Sequence, residues 1–174
     1  MNRYVSFLRG VNVGGRIVNM AKLKDVYEIE GMKDVKTFLQ SGNVVFSSDL
    51  NDKVILRSML EKAVTAKFNY NAKIFLLSRE QLKYAYDNYS FEDVSEHNQD
   101  YIIFIESDLA TKLYEQGRSL NSDIDKLALG KDVIYWQVPK GKTVLSPFSK
   151  LLVKSKFREF HTNRNIKTIS KMLL

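Results

Sequence analysis

Three stretches of this sequence concentrate residue types that could hold or act on a ligand. The first, Leu8-Arg9-Gly10-Val11-Asn12-Val13-Gly14-Gly15, closes the first predicted strand. It places three glycines and an asparagine where a plain strand-to-helix connection needs one or two turn residues. Glycine takes positive φ and lets backbone approach a neighbour or ligand closely, and asparagine bonds locally to the main chain. Backbone N–H groups of such a loop can hold an anion, helped by the dipole of a following helix. The stretch matches neither G-x-G-x-x-G nor G-x-x-x-x-G-K-[ST], and Arg16, Ile17 and Val18 separate it from the helix start. A rigid loop whose glycines meet unusual φ is the plainer account.

The second stretch is Gln40-Ser41-Gly42-Asn43. Gly and Asn tolerate positive φ, so a turn explains it. A nucleophilic serine would need a base nearby. His97 lies in an acidic segment and His161 just before the third stretch, so neither is well placed for Ser41. The third stretch is Thr162-Asn163-Arg164-Asn165, continued by Thr168 and Lys171. At helical spacing Arg164, Thr168 and Lys171 share one stripe, and a guanidinium, a hydroxyl and an ammonium suit a phosphate or carboxylate. The plainer account is a capping segment and a solvated helix face.

If the last helix packs against the glycine loop, Arg9 and Arg164 form a two-arginine anion site. Gly10, Asn12, Gly14, Gly15, Ser41, Gly42, Asn43, Asn165, Thr168 and Lys171 would complete it. No catalytic residue is assigned, no cofactor is expected, and no metal site is expected. There is no H-E-x-x-H and no D-x-D-x-D-G, and Asp123-Ile124-Asp125 is too slight a cluster.

The elements that must position these residues follow from patterning. Arg3 to Arg9 reads as a mostly buried strand. Asn19 caps a helix from Met20 to about Glu30, with Gly31 as its stop. Val35–Gln40 and Val44–Ser48 are strands joined by a hairpin signal, Asp52 to about Phe68 is an amphipathic helix, and Lys73–Leu77 is a fourth strand. This βαββαβ order is the ferredoxin-like unit. In its antiparallel arrangement the glycine loop and the Ser41-Gly42-Asn43 turn lie near each other.

Ser78-Arg79-Glu80-Gln81 is a capping box opening a helix to about Asn88. Glu92 to Asp100 reads as an exposed acidic loop. Tyr101–Ile105 is a strand, and Asp108 to Gln116 a helix with an acidic cap. Asp125–Leu129 and Val133–Val138 form a hairpin. Ser146 with Pro147 starts a helix to about Phe157, and a last helix covers about Asn165 to Met172.

The second half thus repeats strand–helix–hairpin–helix without residue-level identity to the first. The expected fold is α+β: two ferredoxin-like βαββα halves, residues 1–78 and 79–174, packed into one compact unit. Tyr4, Phe7, Tyr101, Phe104, Tyr135 and Trp136 offer apolar strand surface for packing one sheet on the other.

With 174 residues the chain can bury a substantial core. The absence of cysteine excludes disulfides, thiolate metal sites and cysteine nucleophiles. No apolar run approaches the roughly 20 residues that span a bilayer, and the N-terminus lacks a signal-peptide pattern. A cytoplasmic location with no membrane partner is expected. The net charge of +7 arises largely after Gly130, which invites a polyanion hypothesis, although such a run is ordinarily a solvated face. The stacking pattern of RNA-binding ferredoxin-like sheets is absent.

The sequence also resembles a known family. Leu8-Arg9-Gly10-Val11-Asn12-Val13-Gly14-Gly15, Thr37-Phe38-Leu39-Gln40-Ser41-Gly42-Asn43-Val44-Val45-Phe46 and Thr162-Asn163-Arg164-Asn165-Ile166-Lys167-Thr168 are similar to the LRGINVGG, TYIQSGNVVF and TxRNxxT signatures of family 1697 of the domains of unknown function. The departures are Val11 for Ile and Phe38-Leu39 for Tyr-Ile. The resemblance implies a stand-alone cytoplasmic bacterial domain with a duplicated ferredoxin-like fold and no assigned activity.

Three functional classes stay open. One is a binding protein or enzyme that takes a small phosphorylated or carboxylated ligand at the sites above. Another is a basic RNA- or DNA-binding module. The third is an interaction or homo-oligomerising protein with no ligand.

Overall fold

The computed structural model describes residues 1–11, 17–92, 96–106, 108–154 and 156–174. The chain divides into two compact units, Met1–Leu82 with Lys171–Leu174, and Lys83–Ser170.

The first unit runs β1 (Asn2–Arg9), α1 (Met20–Ile29), β2 (Lys33–Phe38), β3 (Asn43–Ser48), α2 (Lys53–Phe68) and β4 (Lys73–Ser78), with α3 (Arg79–Asp87) following. Its antiparallel sheet has the order β2-β3-β1-β4. Local sequence explains the helix starts. The Asn19 side chain accepts from the Lys22 N–H at 3.0 Å, and Asp52 accepts from Val54 and Ile55 at 2.8 and 3.1 Å. Ser78 and Gln81 satisfy each other's backbone N–H groups, a complete capping box.

Leu56, Leu60 and Val64, four residues apart on α2, are fully buried beside Leu23 and Tyr27 of α1. Each such side chain stabilises the fold by about 1.5–3 kcal/mol relative to exposure. Tyr4, Leu8, Val44 and Phe46 meet these helices. Val5, Phe7 and Val45 alternate onto the other face of the sheet and are buried as well, which is why β1 reads as a nearly continuous apolar run.

The second unit repeats the order: β5 (Asn98–Ile105), α4 (Ala110–Arg118), β6 (Lys126–Leu129), β7 (Val133–Pro139), α5 (Pro147–Lys154) and β8 (His161–Asn165), followed by α6 (Ile166–Leu173). The sheet order β6-β7-β5-β8 matches that of the first unit element for element. The fold is α+β with two similar ferredoxin-like halves. In the second core Trp136 stacks on Tyr101 at 4.9 Å and meets Phe148 edge-on at 5.5 Å.

The structure corrects the sequence reading in four places. His161–Asn165 is a strand paired with β5, and its last residue Asn165 also caps the following helix, so the second half is βαββαβ rather than βαββα. It is a polar edge strand, and such strands lack the alternating apolar pattern that announces a buried one. β5 begins at Asn98, inside the predicted acidic loop, because Asn98 to Asp100 pair with Gln137 to Pro139. Asp108 does not cap α4: Leu109 occupies that position and makes no side-chain cap bond. Tyr4, Tyr101 and Trp136 sit under the helices of their own units, and of the predicted aromatics only Phe7, Phe104 and Tyr135 fall on the opposite faces.

Candidate functional site

The predicted site residues of the first unit cluster at the end of β1. Antiparallel pairing of β1 with β3 puts Phe7 opposite Asn43, and the Leu8 N–H bonds the Gly42 carbonyl at 2.8 Å. The β1 end and the Ser41-Gly42-Asn43 turn are therefore neighbours, as the topology implied. Gly10 and Gly42 both have positive φ, +68° and +67°. A Cβ on Gly42 would lie 2.6 Å from Leu8 Cβ and 3.0 Å from Val11 Cγ2, so close packing and backbone conformation both require glycine.

Asn43 is fully buried, and its amide donates to the Phe38 carbonyl at 3.0 Å and to Ser41 Oγ at 2.7 Å. These bonds account for Ser41, Gly42 and Asn43 as the frame of a turn. Arg9 stands opposite Lys73 of β4. Asn12, Gly14 and Gly15 lie outside the described residues.

The remaining predicted residues fall at the C-terminal end. Arg164 is a strand residue opposite Ile102, and its guanidinium donates to the Asn163 carbonyl at 2.7 Å. It therefore does not share a helical stripe with Thr168 and Lys171, which belong to α6. Thr168 is buried and Lys171 exposed. Asn165 caps α6, its Oδ1 accepting from the Lys167 N–H at 2.9 Å. Arg9 belongs to the first unit and Arg164 to the second. His161 is buried, with Nδ1 2.8 Å from the Phe157 carbonyl.

A small cleft of about 120 Å³ opens in the second unit where β5 begins, β7 ends and α6 starts. Glu96, Asp100, Lys140, Asn165, Ile166 and Lys167 contribute to its walls. Three of these six come from the third sequence stretch. The backbone around it is pinned by a bond from the Lys140 N–H to the His97 carbonyl at 2.8 Å. The Thr143 hydroxyl also donates to Gln99 Oε1 at 2.6 Å.

Asp100 is the buried charge of the cleft. Its Oδ1 accepts from the Tyr89 hydroxyl at 2.6 Å and from Gln137 Nε2 at 2.8 Å. Burial, with the carboxylate bonded to its hydroxyl, pushes the Tyr89 phenol well above its ordinary pKa. Tyr89 thus stays a neutral donor at physiological pH.

Asp100, Glu96 and Lys140 were not among the residues singled out from sequence, and Lys167 appeared only within the third stretch. Lys140 carries no local signature, while Asp100 and Glu96 stood in what read as a solvated loop. A broader open depression in the first unit is lined by Arg3, Lys24, Glu28, Asp34, Lys36 and Ser47. There Lys24 pairs with Glu28 at 3.6 Å and Asp34 accepts the Ser47 hydroxyl at 3.1 Å, so several of its polar groups are already engaged by the protein.

Topology and sequence together define a duplicated ferredoxin-like α+β protein. The model of the family described as "Protein of unknown function (DUF1697)" matches residues 1–135, and the chain belongs to that family. Among solved structures, a conserved bacterial protein from Streptococcus pneumoniae is 26% identical, with a TM-score of 0.75 over 99% of this chain and 98% of the other. The search of curated proteins found no match. Among the described residues no helix is long and apolar enough to cross a membrane.

Proposed function

We propose that the protein binds a small ligand carrying a carboxylate or phosphate, with the anion held in the second-unit cleft. The observation carrying this reading is that Lys140 and Lys167 line one cleft together with Asn165 and the first residues of α6. Two ammonium groups and an amide beside a helix start suit an oxyanion. The size of the cleft narrows the ligand: 120 Å³ is well below the roughly 300–1,000 Å³ of pockets for drug-sized molecules. A nucleotide is too large to be enclosed there. The sequence features fit a cytoplasmic setting for this binding.

A thermal-shift titration of wild type, Lys140→Ala and Lys167→Ala with small carboxylates, phosphate and phosphorylated metabolites tests the reading. A ligand at about 100-fold over its Kd adds roughly 2.7 kcal/mol. That corresponds to a Tm rise of about 5–11 °C for a chain of this size. The rise should vanish in both variants. A panel without any hit, or a hit retained in both variants, removes the proposal.

A second reading has its own support. No Asp or Glu occurs between Asp132 and Glu159, whereas Lys140, Lys142, Lys150, Lys154 and Lys156 in that stretch are exposed. Such a run supports association with a polyanion, whose affinity falls steeply with salt. Electrophoretic mobility shift with single- and double-stranded RNA and DNA from 50 to 200 mM salt, comparing wild type with the double variant Lys150→Glu, Lys154→Glu, separates this reading from the first. Binding lost in that variant and steeply weakened by salt supports it. The absence of any shift at 50 mM salt removes it.

A further inference from the structure

The same cleft is lined by acidic side chains as well as lysines, and from this we infer that the ligand is a zwitterion of the small amino-acid class. The inference rests on the anion-binding reading above and specifies the rest of the molecule. Lys140 and Lys167 contribute two positive charges, and Glu96 and Asp100 two negative ones. Oppositely charged groups lining so small a space ordinarily pair with one another. Here none of the four is in an ion pair among the described residues.

Asp100 makes the point most directly. Only 2% of it is exposed, and both of its hydrogen bonds end on Oδ1. No donor among the described residues reaches Oδ2. Asp100 lines the cleft, and its Oδ2, which is not sealed from solvent as the Tyr135 hydroxyl is, keeps acceptor capacity there. An ammonium group placed in the cleft supplies that donor and the counter-charge together. Glu96, an exposed residue of the lining, adds a second negative charge to the cleft. The ligand's carboxylate would then lie towards Lys140, Lys167 and the Asn165 amide. A simple carboxylate leaves the Asp100 side unmatched, and a simple amine leaves the lysines unmatched.

The test is isothermal titration of the full chain with the common amino acids, each set against the carboxylic acid lacking its amine and the amine lacking its carboxylate. An amino acid should bind at least tenfold more tightly than either truncated analogue. Glu96→Gln, a change on an exposed side chain, should reduce amino-acid affinity several-fold and leave binding of the des-amino acid unchanged. Asp100→Asn should reduce it at least tenfold with circular dichroism unchanged, and Lys167→Ala should weaken the amino acid and the des-amino acid alike. A des-amino acid that binds as well as its parent overturns the zwitterion inference while leaving the anion reading intact. No binding by any carboxylate, with or without the amine, overturns both.

Discussion

A side chain on Gly42 would place its Cβ 2.6 Å from the Cβ of Leu8, across the join between β1 and β3. Leu8 is a core residue of β1 and cannot retreat without disturbing the helices above it. Gly42→Ala therefore combines a left-handed conformation, at about 1–2 kcal/mol, with overpacking at about 1–3 kcal/mol. The expected result is a Tm lower by roughly 5–15 °C. Gly31→Ala is the matched control: φ is +84°, yet nothing lies within 4 Å of its added Cβ, so only the conformational part remains. Equal losses in the two variants would refute the packing argument.

Asp125 links three elements of the second unit. Its Oδ1 accepts from the Trp136 indole at 2.8 Å and the Ser146 hydroxyl at 2.6 Å, and its Oδ2 accepts from the Phe148 N–H at the start of α5 at 3.2 Å. Asp125→Ala strands the Trp136 N–H in the core and removes part of a helix cap, for a loss of about 2–4 kcal/mol. Trp136 is the only tryptophan, so its fluorescence reports on this site alone. The emission maximum should shift in the variant before any unfolding. An unshifted spectrum together with unchanged denaturant stability would show that the network contributes little.

Much of the scaffold was legible in the sequence because its signals are local. Asn19, Asp52 and the Ser78/Gln81 pair are helix starts whose side chains bond backbone two or three residues away, and each does so in the structure. The adjacency of the β1 end and the Ser41-Gly42-Asn43 turn followed from strand order alone. The cleft was not legible, since its walls come from strand ends far apart in the chain. Asp100 ended a polar run and read as loop, although its burial depends on Tyr89 and Gln137, 11 and 37 residues away. β8 escaped for a related reason: His161 to Asn165 carry no apolar alternation, and only pairing with β5 makes them a strand.

Two buried tyrosine hydroxyls should respond in opposite ways to removal. The Tyr27 hydroxyl lies 2.8 Å from the hydroxyl of fully buried Ser6, whereas that of Tyr135 is buried with no hydrogen-bond partner among the described residues. Tyr27→Phe leaves Ser6 with its partner gone and should cost about 1–2 kcal/mol. Tyr135→Phe removes a polar atom that pays desolvation with no compensating bond, so stability should be unchanged or higher by up to about 1 kcal/mol. Urea denaturation of both variants compares them directly. A clear destabilisation by Tyr135→Phe would mean that its hydroxyl has a partner in solution.

The same tyrosines set the alkaline limit of the fold. Burial pushes the Tyr27 phenol far up despite its bond to Ser6, raises Tyr89 likewise, and moves Tyr135 up to about 12. In the unfolded chain these phenols ionise near pH 10. Below that pH both states are protonated and the contribution to stability is constant. Above it the unfolded chain releases protons that the fold retains, so stability falls as pH rises, for Tyr135 continuing to about pH 12. Urea midpoints should therefore be level from pH 7 to 9 and decline beyond pH 10. Lysines also titrate in that range, so the comparison with Tyr27→Phe isolates the tyrosine part. The decline should be shallower in the variant, and identical slopes would show that Tyr27 ionises as easily in the fold as out of it.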